Sequence, residues 1–251
     1  MAAPRRFTSG ITDLSSADPM GQMNVLDPTK RVLYHEDFVG PFLEDASITN
    51  ETATAGGISI VASASMTVTN EVDADSPNGN LVATTGAADN ENMHFYTVSP
   101  CWRLESGKKF FFEARFEVTA TNVDENEIFI GLATNQTTTN FFAADGTART
   151  FDDGIGFYST DGDTDIDVIV GEADVFDNVT IKTAYVTATW YTMSIYYDGT
   201  GITCYVDGTA VAKLTPSAIP VSAIGPAMWF KSGEAAAHIL KVDYITAIKE
   251  R

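Results

Sequence analysis

Trp190-Tyr191-Thr192-Met193-Ser194-Ile195-Tyr196-Tyr197-Asp198-Gly199-Thr200-Gly201-Ile202-Thr203-Cys204-Tyr205-Val206-Asp207-Gly208 is written in a period of two. Met193, Ile195 and Tyr197 fall on one face of an extended chain, the pattern of a half-buried strand. Asp198-Gly199-Thr200-Gly201 then turns the chain, and Ile202–Val206 runs back. Asp207-Gly208 follows, and Asp-Gly supplies the positive φ that tight hairpins require. The stretch therefore reads as consecutive antiparallel strands.

The same grammar extends in both directions. In Phe110–Val118, Phe110, Phe112, Ala114, Phe116 and Val118 share one face, and Glu113, Arg115 and Glu117 the other. Further strands are predicted at Glu127–Ala133, Ile155–Ser159, Ile166–Val170, Val179–Thr187, Ala227–Lys231 and Ile239–Ile248. Residues 46–70 are rich in Ala, Thr, Ser and Gly, and pieces such as Gly57-Ile58-Ser59-Ile60-Val61 read as exposed strands and connections. Asp73–Asn80, Gly86–Asn92 and the polar run Thr134–Asn140 read as loops. No segment carries the stripe of a long helix, and no repeat of solenoid or propeller length is present. Ten or more short strands with turn signals predict an all-β antiparallel sandwich.

The first 33 residues differ from the rest. Pro4, Pro19 and Pro28, with Gly10 and Gly21 between them, interrupt any regular element. Arg5, Arg6, Lys30 and Arg31 oppose Asp13, Asp18 and Asp27, so the acidic excess of the chain lies wholly in the remainder. Residues 1–33 read as an extended N-terminal arm and residues 34–251 as the sandwich domain. Ile11, Leu14, Met20, Met23, Val25 and Leu26 are apolar positions that a solvated tail does not need and that an arm lying on a partner would use.

The 251 residues carry 34 acids against 15 Lys and Arg, a formal charge of -19. Such a balance argues against nucleic acid and against anionic membrane surfaces as partners. No apolar run reaches the length of a membrane span. The opening residues have no apolar stretch of the kind a secretory signal carries, so the expectation is a chain made in the cytoplasm and not exported by the Sec route. Cys101 and Cys204 make no disulfide framework and are expected to stay reduced and half-buried.

The Trp190–Gly199 run followed by Cys204-Tyr205-Val206-Asp207-Gly208 resembles the concanavalin A-like, laminin-G-like jelly roll, in which a Trp opens one strand and the next ends in Val-Asp-Gly. Asp153-Gly154-Ile155-Gly156-Phe157-Tyr158 is similar to its preceding core strand. Val242-Asp243-Tyr244-Ile245 is similar to its closing strand, and Tyr34-His35-Glu36-Asp37-Phe38 to the opening of such a domain. An acidic jelly roll with an extended arm is also similar to the capsid decoration, or cement, proteins of tailed bacteriophages. That resemblance implies a virion structural protein on the capsid surface, made in the host cytoplasm. It implies a homo-oligomer, a trimer, that binds the major capsid protein through its arm. The alternative is a carbohydrate-binding, lectin-like module such as a tail or fibre adhesin, with a glycan as partner.

Catalytic chemistry finds little support. Glucanases of this fold carry Glu-x-Asp-x-Glu on one strand, because hydrolysis needs two carboxylates at a set separation. The nearest approaches here are Glu125-Asn126-Glu127 and the alternating Asp163, Asp165 and Asp167. His35, His94 and His238 sit in no nucleophile frame, and no spacing suggests zinc. The chain is therefore expected not to be an enzyme and to need no cofactor, with one candidate ion. Asp161, Asp163 and Asp165 are candidate calcium ligands, although Ile166 stands where an EF-hand requires Gly. Trp102, Trp190, Trp229, Tyr191, Tyr196 and Phe111 are the candidate aromatics for a sugar surface.

Overall fold

Sixteen strands are present among the residues that the computed structural model describes, which are 31–38, 52–55, 58–63, 65–71, 79–134, 151–173 and 175–251. In chain order they are β1 (Arg31–Glu36), β2 (Thr52–Ala55), β3 (Ile58–Ala62), β4 (Thr67–Glu71), β5 (Asn80–Thr84) and β6 (Asn92–Thr97). There follow β7 (Phe110–Thr119), β8 (Asn126–Ala133), β9 (Gly154–Ser159), β10 (Ile166–Glu172) and β11 (Val175–Lys182). The chain closes with β12 (Trp190–Tyr197), β13 (Ile202–Val206), β14 (Thr209–Leu214), β15 (Gly225–Ser232) and β16 (Ile239–Glu250). The arm positions Ile11, Leu14, Met20, Met23, Val25 and Leu26 lie outside the described residues.

The strands form two antiparallel sheets. The first has the order β14-β13-β12-β7-β16-β5-β4, with β1 also paired to β16, and the second has the order β11-β10-β9-β8-β15-β6-β3-β2. β16 lies along β7 on one side, while β5 takes its first residues and β1 its last on the other side. The sandwich begins earlier than the sequence boundary, because Arg31, Val32 and Leu33 already pair with Glu250, Lys249 and Ile248.

The alternating residues build the core between the sheets. Phe112, Phe116, Met193, Ile195, Val242 and Ile245 from the first sheet meet Ile130, Phe157, Val168, Met228 and Phe95 from the second, all buried. Three readings change. β3 is not exposed: Ile58, Ile60 and Ala62 belong to the core. Asn80 opens a strand and is buried. The strand predicted over 179–187 is shifted to β11, because Ala184 and Ala188 take positive φ and turn the chain before β12. Asp207 and Gly208 both have positive φ, 50° and 75°, as the sequence required of the β13–β14 turn.

The second sheet carries a smaller apolar layer on its far side. Phe129, Phe151, Ile169, Trp229 and Ala227 are buried there. A Cβ at Gly131 or Gly156 would meet the neighbouring strand's backbone first, at Ile155 O or Ile130 O, and then the Phe129 ring at 2.9 or 3.0 Å, so the two glycines keep β8 and β9 close beneath that ring. Beside this layer Lys231 and Glu127 form a buried ion pair at 3.0 Å. The cysteines part company: Cys101 is exposed and Cys204 is buried, both free. Burial pushes the Cys204 thiol up to about 12.

Candidate functional site

The outer face of the first sheet is where polar and aromatic side chains gather. Register alone builds rows across its strands. Tyr205, Ser194, Glu113, Thr246 and His35 stand opposite one another on five adjacent strands. The next row holds Thr192, Arg115 and Tyr244, and the one beyond it Trp190, Glu117 and Lys241. The ladder slips between Val242 and Tyr244, a bulge that inserts Asp243 into β16. Bulges re-aim a side chain in this way at functional sites.

The bulge brings Asp243 to Arg115. Arg115 Nη1 donates to Asp243 Oδ2 at 2.6 Å, and its guanidinium lies 4.4 Å from the centre of the Trp190 ring. A planar cation is thus held between an aromatic face and a carboxylate. Glu113 is held differently. Its Oε2 accepts from Ser194 Oγ at 2.7 Å and its Oε1 from the Tyr244 hydroxyl at 2.8 Å. Burial, and then the Glu113 carboxylate, raise the Tyr244 phenol well above the ordinary tyrosine range, so it stays a donor. His35 Nδ1 and Thr246 Oγ1 lie 2.7 Å apart at the end of the row. Trp190, Glu113, Arg115, Asp243 and Tyr244 are all half-buried, hence reachable yet positioned. The arrangement presents rigid donors, acceptors and ring faces on one surface, the ingredients of a polar ligand site.

The aromatics singled out from the sequence scatter over the molecule. Trp190 belongs to this face. Phe111 and Tyr196 are on it too but pack with Ile248 into a small buried cluster. Tyr191 points into the main core, Trp229 is buried beyond the second sheet, and Trp102 is buried in the main core. Glu113, Arg115, Glu117, His35, Tyr244 and Asp243 were visible as strand residues. Nothing in their spacing showed that β7, β16 and β1 lie side by side.

The acidic stretch before β10 turns the chain. Asp163 Oδ1 accepts from Asp165 N at 2.9 Å, and Asp165 Oδ1 accepts from Ala184 N at 2.9 Å. Asp161 is drawn to the Glu125 carboxyl, whose proton affinity it raises through a hydrogen bond between them. Asp167 Oδ2 accepts from Asn178 Nδ2 at 3.1 Å. Asp161, Asp163 and Asp165 do not converge: among the described residues no three His, Cys, Asp or Glu side chains are arranged to hold a metal ion. Each carboxylate is drawn to a separate neighbour.

His94 and His238 are structural. His94 packs 5.5 Å from the Trp229 ring. His238 is buried immediately before β16. Its Nδ1 lies 2.6 Å from Asn126 Oδ1 and its Nε2 2.9 Å from Glu234 Oε1.

No known family model matches the chain, and no curated protein is similar to it in sequence. Solved structures do share its architecture. A protein of unknown function from Shewanella oneidensis MR-1 superposes with a TM-score of 0.57 at 14% identity, over 88% of this chain and 87% of that one. The carbohydrate recognition domain of Emp47p gives a TM-score of 0.54 at 10% identity, over 88% of this chain and 97% of the domain. The fold is therefore that of the lectin-type, concanavalin A-like jelly-roll sandwiches, as the Trp190–Gly208 pattern implied.

Proposed function

We propose that the chain is a carbohydrate-binding module and that the outer face of the first sheet is its site. One observation carries this reading: Arg115, clamped between the Trp190 ring and Asp243, stands beside the Glu113–Tyr244–Ser194 cluster on a reachable face. Sugars present apolar C–H faces and paired hydroxyls. The first suits an aromatic ring and the second suits fixed charged acceptors and donors, whose hydrogen bonds are the stronger kind. The reading takes binding to proceed without turnover, because the chain carries no strand with the Glu-x-Asp-x-Glu pattern.

Calorimetric titration against a panel of oligosaccharides tests the reading. A ligand of the native protein is expected to bind Trp190→Ala at least about tenfold more weakly. A panel with no ligand at all, or one whose ligands bind Trp190→Ala as tightly as the native chain, overturns it.

A second reading, decoration of a bacteriophage head by a trimer that engages the major capsid protein through its arm, has one observation in its favour. β1, which follows directly on residues 1–30, is laddered to β16 over its full length and tied there by the Arg31–Glu250 ion pair at 2.9 Å. A load on the N-terminal segment would pass in shear into a strand at the middle of the first sheet. Peptide mass spectrometry of gradient-purified particles, with copy number relative to coat protein, tests it. Absence from particles rejects it, as does particle binding that survives removal of residues 1–30.

A further inference from the structure

We propose that the site on the first sheet, read as a carbohydrate site, selects amino sugars carrying a free ammonium group, with the Glu113 carboxylate as their anchor. The inference rests on that reading and comes from the charge pairing of the face. Three acids there have cations beside them: Asp243 has Arg115 at 2.6 Å, Glu250 has Arg31 at 2.9 Å, and Glu117 has Lys241 at 3.8 Å. Glu113 is different. Both of its oxygens are held by neutral hydroxyls, from Ser194 and Tyr244, and among the described residues no Lys, Arg or His stands within ion-pair distance.

Two hydroxyl donors fix the position of this carboxylate without cancelling its charge. Each oxygen keeps a further lone pair for another donor. Glu113 sits at the centre of its five-strand row, with Tyr205 beyond Ser194 on one side and Thr246 and His35 on the other. The Ser194 and Tyr244 hydroxyls flank it, and they can turn to share their oxygens with an ammonium group attached to a sugar ring. The chain's charge of -19 adds a field that draws cations and repels uronic acids. An ammonium group gains a charge-assisted hydrogen bond at Glu113. An N-acetyl group in its place can still donate its N–H but brings no positive charge to pair with the carboxylate, and a uronate carboxylate is repelled.

The test compares chain-length-matched oligomers of glucosamine, N-acetylglucosamine and galacturonate. Each is titrated below the pKa of the sugar amine, together with the neutral glycan panel. The glucosamine oligomer is expected to bind at least about tenfold tighter than the N-acetylated one. Its affinity should fall with added salt as a screened ion pair does, while that of neutral sugars should not. Glu113→Gln keeps one acceptor oxygen and puts an amide donor at the other position, toward which one of the two hydroxyls can turn to accept; with the charge removed it should bring the two oligomers to within about twofold of each other. Its thermal midpoint is compared with that of the native chain, and Trp190→Ala serves as a second variant that keeps the carboxylate. Neutral or N-acetylated sugars binding as tightly as the amine overturn the ammonium selectivity and leave the carbohydrate reading standing. A preference that survives Glu113→Gln overturns the assignment of the anchor. Failure of every glycan to bind overturns both.

Discussion

Glu125 and Asp161 show how much a single proton can carry at the loop end of the sandwich. The Glu125 carboxyl is raised because it hydrogen-bonds Asp161, with burial and the negative charges of Asp161, Asp124 and Glu234 adding to the effect. The folded chain thus holds this proton more tightly than the unfolded chain. The contribution to stability is complete below the ordinary glutamate range and is lost as pH rises through the folded-state value. Glu125→Gln keeps a donor toward Asp161 and does not titrate. Denaturant midpoints followed from acid to neutral pH should therefore fall less steeply for the variant, which should be at least as stable as the native chain at neutral pH. Lys231 makes the opposite case. Its ammonium is buried against Glu127 at 3.0 Å. Lys231→Met leaves the carboxylate in the interior without that cation, and urea unfolding should show a loss of about 3–5 kcal/mol.

At the level of the element, the β13–β14 hairpin and the β16 bulge do different work. The hairpin is built from local chemistry. Asp207 and Gly208 take left-handed φ, and Asp207 Oδ1 also accepts from Thr192 N at 2.9 Å, tying the turn back to β12. Gly208→Val places a β-branched residue at a φ of 75°. The cost should be about 1–2 kcal/mol, read as a lower denaturant midpoint with an unchanged slope. The bulge is built from a tertiary demand. An extra residue at Asp243 lets β16 keep its apolar side inward on both halves, with Leu240 and Val242 before it and Ile245 and Ala247 after it. Without it, one half of the strand would turn its polar side into the core.

Across the whole molecule, the described parts of both sheets contribute to one main core, from Ile58 and Phe95 in the second to Ile195 and Ala247 in the first. Neither sheet buries its apolar face without the other. Unfolding should thus be a single cooperative transition. Far-ultraviolet dichroism, which follows the strands, and tryptophan fluorescence, which follows Trp229 and Trp102, should give coincident curves. Separate midpoints would mean that the sheets come apart independently.

The sequence specifies, without further help, the strands whose two faces differ sharply in polarity. β7, β10, β12 and β13 were legible because Phe112, Val168, Met193 and Cys204 alternate with polar neighbours, and because Asp-Gly turns have few conformations open to them. It also determined the fold class, since a chain of short alternating strands without helices must cover one sheet with another. The tertiary structure alone decided which outer faces are covered. Phe111, Tyr196 and Trp229 look like surface aromatics by period, yet each is buried on the far side of its sheet. It alone decided the site, because Glu113 meets Tyr244 across 131 positions and Ser194 across 81. The reason is geometric. A period of two assigns a residue to a face, but the identity of the neighbouring strand and its register depend on how the whole sheet is ordered, and the chemistry of this face exists only across strands.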